Sequence, residues 1–367
     1  MSTIFDVAGG RISTDTDRTV LEERIVNEGL RGRWHALVGS KFVTEKPLRI
    51  ERLNEDLVLW RDARGTVHVQ EDRCPHRGAR LSQGLILDDR IACPYHGVQI
   101  DTAGRIAAVP ALPGCPIEGR FAVTTYTAKE FADVIFAYFP TPAGEEAPPL
   151  VGPPEFNDPN WSLFVAEMTW QCNYRYVVEN ALDVMHGPYL HGDSHTMSVG
   201  VKDDTLDIKP TEHGFHIERV KQRGVAFDYT DFVDDTMSWV FLDVQYPPIA
   251  GPGGAFRIVG MATPIDEVHC RVFFWRLRKV QGWERDLWRF LYRQRLEARH
   301  WAVLEQDRVC MEGMPDDARE REILYQHDVG VTRFRRTLKS IARKQLNDAF
   351  ERAAHDKKRT NLVAAGA

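Results

Sequence analysis

Two short cysteine–histidine segments in the first third of the chain have the residue types and the spacing of a metal site. Cys74-Pro75-His76 is followed, after sixteen intervening residues, by Cys93-Pro94-Tyr95-His96. Two thiolates can ligate one iron of a [2Fe–2S] cluster while two imidazoles ligate the other, and the neutral imidazoles raise the reduction potential of the cluster. The four residues therefore predict a cluster that accepts an electron from a ferredoxin.

A structural zinc site is the main alternative for these four residues, because two cysteines and two histidines also suit tetrahedral Zn²⁺. The spacing favours the cluster, since one ligand pair is Cys-x-His. A glycine, Gly78 or Gly97, also follows each pair, where a tight loop covering a cluster would need one. The sequence predicts the cluster on these grounds.

A second group of possible metal ligands lies in the middle of the chain. Asn180, Asp183 and His186 are three residues apart, which places them on one face of a helix predicted over 174–185. A bend at the Gly-Pro pair that follows would bring His191 beside His186. Two imidazoles and one carboxylate form the facial triad that holds a mononuclear Fe(II) and leaves positions open for O₂. Asp183 is placed to accept a hydrogen bond from a ligand histidine and so fix its tautomer.

The elements that must position these residues fall into two groups, separated by a proline-rich stretch. An N-terminal helix near 21–30 precedes short strands predicted over 34–38, 48–50, 57–60 and 67–69, as in a small β domain. The stretch 140–159 carries seven prolines. Because proline disfavours both helix interiors and central strands, this stretch predicts a domain boundary.

The second half combines strands with long helices. Strands are predicted over 161–170, 237–245, 255–262 and 268–277, a long amphipathic helix over 283–311, and a last helix over 331–352 before a frayed tail from 356. This predicts an α+β fold, in which an all-β domain precedes an α+β catalytic domain with an antiparallel sheet. The expected organisation is a helical segment over 1–30, the cluster domain over 31–150 and the mononuclear iron domain over 151–367.

The composition is that of an ordinary globular protein. With 367 residues the chain has room for two cores, and a net charge of −6 does not favour nucleic acid or an anionic membrane as a partner. The first residues lack a basic region followed by an apolar core, and no run of about eighteen apolar residues occurs, so neither a signal peptide nor a membrane span is expected. Four further cysteines without regular spacing fit reduced thiols and a cytoplasmic location.

The cluster segments 73–78 and 93–97 resemble the Rieske domain of the Rieske non-haem iron oxygenases, and the downstream chain resembles their oxygenase (alpha) subunit of the homotrimeric type. Asn180, Asp183, His186 and His191 match the family motif Asn-x₂-Asp-x₂-His-x₄-His residue by residue. The resemblance implies that both histidines bind the catalytic iron.

The resemblance also implies roles for two carboxylates. Asp307, on the late helix, stands where the family has its third iron ligand, with Glu305 as the nearby competitor. Asp183 would bridge His186 to the cluster ligand His96 of a neighbouring subunit in a homotrimer.

The implied function is a terminal oxygenase that uses O₂ and electrons from NAD(P)H, delivered by a ferredoxin or a reductase, to hydroxylate an aromatic or other hydrophobic ring substrate. An O- or N-demethylating monooxygenase is the alternative within the family. Two alternatives belong to other classes: a Rieske electron-transfer protein without oxygenase activity, and a structural zinc protein that binds a partner.

Three further predictions concern the surroundings of the two sites. Arginines crowded around the cluster loops form a candidate docking face for an acidic ferredoxin or reductase; they are Arg73, Arg77, Arg80 and Arg90. Apolar residues are expected around the open iron positions; the candidates are Val184, Phe241, Val244, Phe256, Met261 and Phe274. His195 is an alternative ligand or pocket acid, with an ordinary loop histidine as the plainer interpretation.

Overall fold

The computed structural model describes residues 15–142, 144–194, 197, 200–225, 227–245 and 254–365. The described chain forms two compact units. Of the described residues, the first unit contains those from 15 to 150, 263–266 and the helical residues from Lys339 onward, and the second contains those within 151–262 and 267–338. The domain limits expected at residues 30 and 150, with 151–367 as one catalytic domain, stay predictions.

The first unit is built around a six-stranded sheet with the strand order β1-β10-β9-β4-β3-β2. Its strands are β1 Arg33–Gly39, β2 Leu48–Arg52, β3 Glu55–Arg61, β4 Val67–Glu71, β9 Thr125–Phe131 and β10 Val134–Phe139. The four short strands predicted for this region are present, whereas β9 and β10 were not predicted. All six residues of β10 are buried, which makes it a core strand of this sheet.

A smaller sheet carries the cluster segments. Its order is β5-β6-β7-β8, with β5 Leu85–Leu87, β6 Arg90–Ala92, β7 Gln99–Asp101 and β8 Ile106–Ala108. A core of buried residues that includes Trp60, Leu81 and Ile100 packs beneath it, and Cys74 and Cys93 belong to the same core. The two cysteines are thus anchored in packed structure, while the residues that follow each of them lie at the surface.

The second unit is built on a seven-stranded sheet with the order β11-β17-β16-β15-β14-β13-β12. The strands are β11 Trp161–Trp170, β12 Leu206–Thr211, β13 Gly214–Arg219, β14 Tyr229–Asp234, β15 Ser238–Gln245, β16 Ala255–Pro264 and β17 Cys270–Lys279. Neighbours pair antiparallel from β12 to β16, and β11 pairs antiparallel with β17. Three of these strands, β12, β13 and β14, were not predicted; their outward-facing residues are largely polar.

The helices differ from the predicted ones in length and continuity. They are α1 Asp15–Glu28, α2 Tyr174–Leu182, α3 Gly187–Leu190, α4 Gly282–Leu291, α5 Glu297–Glu312, α6 Ala318–Arg321 and α7 Val329–Ala365. The single helix predicted over 283–311 was wrong, because a π-helical turn, Tyr292–Leu296, separates α4 from α5. The last helix was predicted to end near 352 but continues to Ala365.

The fold class predicted from the sequence is confirmed: an all-β N-terminal part precedes an α+β part with an antiparallel sheet. Among the described residues, no helix is long and apolar enough to cross a membrane.

Candidate functional site

The two cluster segments fold into loops with the same backbone hydrogen bonds. The Gly78 N–H donates to the Cys74 carbonyl over 2.9 Å, and the Gly97 N–H donates to the Cys93 carbonyl over 3.0 Å. Each cysteine N–H donates in turn to the carbonyl five residues later, at 2.7 Å in the first loop and 2.9 Å in the second. Both glycines have positive φ, 77° and 71°, which explains why the chain has glycine there.

The four predicted cluster ligands come together at the tips of these loops. Cys74 and Cys93 are buried, whereas His76 and His96 are exposed, with their ring centroids 4.6 Å apart. Burial raises the pKa of the Cys74 thiol to about 11, and the adjacent Cys93 adds to this shift. The Cys74 thiol therefore resists ionisation unless a cation compensates its charge, and bound iron would supply that cation. The donor set fits a [2Fe–2S] cluster with a buried thiolate side and an exposed imidazole side.

The second predicted site lies where α2 ends and α3 begins. The helix predicted over 174–185 was too long: α2 ends at Leu182, and Asp183 is extended with φ −90° and ψ 94°. Asn180, Asp183 and His186 therefore do not share one helix face. His186 and His191 flank the four-residue α3 as its N-cap and C-cap. Proline is favoured in the first turn of a helix, so Pro188 starts α3 rather than only ending the helix before it.

This short helix brings both histidines to Asp307 on α5. The Nε2 atoms of His186 and His191 are 3.2 Å apart, and the Oδ1 atom of Asp307 is 3.5 Å from the first and 3.2 Å from the second. One ligand atom from each residue lies within 4.8 Å of the others. Two imidazole nitrogens and one carboxylate oxygen that converge on one point fit a mononuclear Fe(II) site.

Each of these three side chains has a second hydrogen bond that orients it. The Nδ1 atom of His186 is 2.5 Å from the Asp183 backbone carbonyl, and the Nδ1 atom of His191 is 2.9 Å from the Gln306 side-chain oxygen. Asn180 donates from Nδ2 to Asp307 over 3.1 Å. Both histidines can thus donate from Nδ1, which leaves Nε2 as the ligand atom. Gln306 was not among the predicted site residues. In the sequence, only its position directly before Asp307 indicates a role at the iron site.

The structure separates the candidate carboxylates. Asp307 is buried, whereas Glu305 is exposed and forms an ion pair with Arg308 on the surface of α5. The Asp183 carboxylate does not reach His186; it accepts a hydrogen bond from the Met185 N–H over 2.8 Å. The prediction that the Asp183 side chain orients a ligand histidine within its own chain was therefore wrong, because its backbone carbonyl occupies that position. His195 lies outside the described residues.

The neighbours of His191 change the pKa of its imidazole. Burial opposes the charged imidazolium, but the hydrogen bond and the negative charge of Asp307, helped by Gln306, raise the pKa of His191 overall. The site therefore stabilises positive charge on the His191 imidazole. The same preference favours a divalent cation.

Strand register divides the predicted pocket residues between the two faces of the sheet. Phe256 pairs with Val244 and lies on the face toward α5, where it stacks on His300. Phe274 packs against Gly260 on this same face. Phe241 and Met261 occupy odd-numbered positions of β15 and β16 and point to the opposite face.

Family comparisons match both parts of the chain. Residues 33–127 match the model of the Rieske [2Fe-2S] domain. Residues 170–344 match the model of the vanillate O-demethylase oxygenase C-terminal domain. The first match contains all four residues of the cluster loops, and the second contains His186, His191 and Asp307.

Curated relatives agree with these matches. The oxygenase subunit of vanillate O-demethylase from Pseudomonas sp. strain HR199 is 30% identical over 167 residues, which are 45% of this chain and 46% of that protein. The oxygenase subunit of phthalate 4,5-dioxygenase from Pseudomonas putida is 24% identical over 270 residues, 67% of this chain and 59% of that protein. The chain spans about half the length of the curated relatives that it matches.

Solved structures show the same fold. The terminal oxygenase of carbazole 1,9a-dioxygenase from Novosphingobium sp. KA1 superposes with a TM-score of 0.70 at 20% identity, covering 88% of this chain and 96% of that one. Dicamba monooxygenase bound to dicamba gives 0.69 at 21% identity, with 88% and 99% covered. These structures show the shared fold. The resemblance inferred from the motifs is confirmed by the two domain matches, a Rieske [2Fe-2S] domain followed by a vanillate O-demethylase oxygenase C-terminal domain, and by curated relatives that are oxygenase subunits.

Proposed function

We propose that this chain is the terminal oxygenase component of a Rieske oxygenase system. It would use O₂ and electrons from NAD(P)H, passed on by a ferredoxin or a reductase, to oxidise an aromatic or other hydrophobic ring substrate. The observation that carries the proposal is the convergence of His186, His191 and Asp307 in a chain that also has a Rieske domain. A pure electron carrier has no use for that second donor set.

The proposed ligands are Cys74, His76, Cys93 and His96 for the [2Fe–2S] cluster and His186, His191 and Asp307 for the iron. When bound, Fe(II) would supply an open position for O₂ and electrons for its reduction, and the cluster would supply a further electron. The protein contributes orientation, because Asp183 and Gln306 fix the two imidazoles through Nδ1. It also limits access of water, since His191 and Asp307 are only 1% and 6% exposed.

We propose that the protein assembles as a homotrimer in which Asp183 links the iron site of one subunit to His96 of the next. The surroundings of Asp183 support an interface there. Tyr325 is 62% exposed, and its pKa is raised by partial burial and by the charge of Asp183. On the Rieske unit, His96 and Tyr95 are also exposed. Exposed aromatic residues beside both groups are typical of surfaces buried on assembly.

Two of the four arginines around the cluster loops are better placed than the others to attract an acidic electron donor. Arg80 is paired with Asp56 and Asp72, and Arg90 lies 3.4 Å from Asp89, so neighbouring carboxylates partly neutralise both. Arg77 lies over the ring of Tyr95, beside the exposed imidazoles. We therefore propose Arg73 and Arg77 as the part of this face that attracts an acidic donor.

Oxygen uptake tests the proposed function. Protein with both metal sites loaded would be mixed with NAD(P)H, a ferredoxin and its reductase, and screened against aromatic acids, methoxyarenes, polycyclic heteroarenes and steroids. We expect substrate-dependent O₂ uptake and an ¹⁸O-labelled product from ¹⁸O₂. A cluster that is reduced and reoxidised at the same rate with and without every substrate class would instead support an electron-transfer protein.

O-demethylation is the second candidate activity, favoured by the match of residues 170–344 to a vanillate O-demethylase domain. Removal of a methyl group by hydroxylation releases formaldehyde, whereas ring dioxygenation does not. Formaldehyde formed in proportion to O₂ consumed with methoxyarenes would identify this activity. Its absence during active turnover would exclude it for those substrates.

A further inference from the structure

A buried arginine lies inside the second unit without a carboxylate partner. Arg276, on β17, is 2% exposed, and its guanidinium donates to the Tyr292 hydroxyl over 2.9 Å and lies 5.8 Å from the centroid of the Trp301 ring. In the part of the chain that the structure describes, Arg276 forms no ion pair. Arg219, another interior arginine of this unit, pairs with Asp204.

An unpaired buried charge needs an explanation, because removing a charge from water without a counter-charge is strongly unfavourable. A tyrosine hydroxyl and an indole ring compensate only part of that loss. The negative charge of Glu297 acts on the hydroxyl of Tyr292, but Glu297 forms no ion pair with Arg276. The remaining N–H groups of the guanidinium fork are suited to an anion that the chain itself does not supply.

The neighbours of Arg276 are aromatic. His300 stacks on Phe256 with ring centroids 4.7 Å apart and a tilt of 18°, and its ring also meets Tyr292 at 5.5 Å. Burial and the charge of Arg276 lower the pKa of His300 to about 3, so its imidazole is neutral. A neutral imidazole in this position offers hydrogen bonding without adding a second charge.

This group lies on the same side of α5 as the proposed iron ligand. His300 and Asp307 are seven residues apart on one helix, which is about two turns and about 10 Å along the axis. On the sheet, Arg276 pairs with Phe164, and Phe256 and Arg276 both lie on the face toward α5. The about 10 Å between His300 and Asp307 is comparable to the length of a substituted aromatic ring with its carboxylate.

We propose that Arg276, with Tyr292 and His300, binds the carboxylate of an aromatic acid substrate and holds its ring against Phe256. The inference rests on the proposed function and specifies its substrate class. Arg276 is then a specificity-determining residue: it binds the anionic end of the substrate, and the opposite end is the one presented to the iron site.

Binding measurements with simple probes test this inference without requiring turnover. Benzoate and benzamide have the same shape but differ in charge, and their affinities for the metal-loaded, full-length protein can be compared by calorimetry. We expect benzoate to bind about 10- to 100-fold more tightly than benzamide, since hydrogen bonds to a buried charge are the stronger ones. In Arg276→Gln this preference should disappear, while benzamide binding changes little.

Arg278 provides a matched control. It lies two residues further along β17, is 8% exposed and sits over the Trp288 ring at 4.8 Å. Arg278→Gln should keep the preference for benzoate. If only Arg278→Gln removes it, the assignment to Arg276 is overturned. If the wild-type protein binds benzoate no better than benzamide, or binds neither, the anion site itself is overturned.

A charge-conserving variant covers the case in which Arg276→Gln does not fold. Arg276→Lys keeps the charge but loses the two-pronged guanidinium. It should retain a reduced preference for benzoate, and an unchanged preference would contradict binding by the guanidinium fork. Failure of the proposed function is seen separately, as absent O₂ uptake in a protein that still distinguishes the two probes.

Discussion

The side-chain amide of Asn180 donates a hydrogen bond over 3.1 Å to Oδ1 of Asp307, the same oxygen that lies near both histidines. This contact joins the end of α2 to the middle of α5, across 127 residues of sequence. It restricts the rotation of the Asp307 carboxylate before any metal binds. Asn180 is therefore a positioning residue in this structure, because it acts on the site through Asp307.

Asp307→Ala is expected to abolish oxygenation and to leave the visible absorbance of the cluster intact, because Asp307 and the cluster loops belong to different units. The measurement is substrate-dependent O₂ uptake alongside the absorption spectrum. Glu305→Ala is the control, since Glu305 is exposed on the same helix and pairs with Arg308. Near wild-type uptake by Asp307→Ala would transfer the carboxylate role to another residue.

Gln306→Leu should weaken Fe(II) binding about 10- to 100-fold, the usual effect of removing an outer hydrogen-bond partner of a ligand histidine. Leucine has a similar volume but cannot accept the hydrogen bond from Nδ1 of His191, which is 2.9 Å from Gln306 in the structure. Anaerobic Fe(II) titration measures the effect. Gln306→Glu keeps an acceptor and should bind Fe(II) at least as well as the wild type. Equal weakening in both variants would indicate a packing role instead.

Fe(II) affinity should fall as the pH is lowered from about 8 to about 6. Asp307 holds the pKa of His191 above its usual value of about 6.5 despite burial, so a proton competes with the metal for this imidazole. The stability of the iron-free protein depends on pH in the opposite direction. Protonated His191 stabilises the fold at pH values below the usual histidine pKa, and this stabilisation is lost as the pH rises through the raised pKa of His191 in the folded protein. Affinity that does not change across this range would contradict the coupling between His191 and Asp307.

The proposed cluster ligands and the two proposed iron-binding histidines could be predicted from the sequence because each Cys-His or His-His pair lies within a few residues along the chain. Cys74 and His76 are separated by one residue, so their meeting depends on one local loop. The Arg276–Tyr292 contact could not be predicted in this way, because it joins a strand to the π-helical turn that interrupts a long helix. The sequence pattern of 283–311 is continuously amphipathic and gives no sign of that interruption.

The early end of α2 explains why the role predicted for the Asp183 side chain was wrong. Spacing by three residues predicts a shared face only while the helix continues, and α2 ends at Leu182. The end of α2 turns the Asp183 carbonyl toward Nδ1 of His186 and leaves its carboxylate free to face elsewhere. A backbone acceptor depends on dihedral angles rather than on residue type, and for that reason a motif does not reveal it.

Glu179→Gln is expected to destabilise the protein by about 3 kcal/mol, because it leaves two arginines without their shared carboxylate in a buried setting. Glu179 lies 2.9 Å from both Arg319 and Arg335 and is 7% exposed. Glu322→Gln is the matched control: Glu322 pairs with Arg335 nearer the surface, and its loss should cost less than about 1 kcal/mol. Denaturant unfolding measures both. Equal losses in the free energy of unfolding for the two variants would mean that burial does not strengthen the ion pairs of Glu179.

Mixed subunits test whether electrons cross between chains. Cys93→Ala subunits should keep the iron and lack the cluster, and Asp307→Ala subunits should keep the cluster and lack the iron. In a ring with one kind of junction, equal random mixing gives about a quarter of junctions an intact donor facing an intact acceptor, so activity should partly return on co-expression. Mixed trimers that are confirmed by mass but inactive would place the electron path within one chain.

Asp183→Asn in otherwise intact protein should keep both metals and slow cluster reoxidation, because the carboxylate proposed to join His186 to His96 of the next subunit loses its charge while its backbone carbonyl still orients His186.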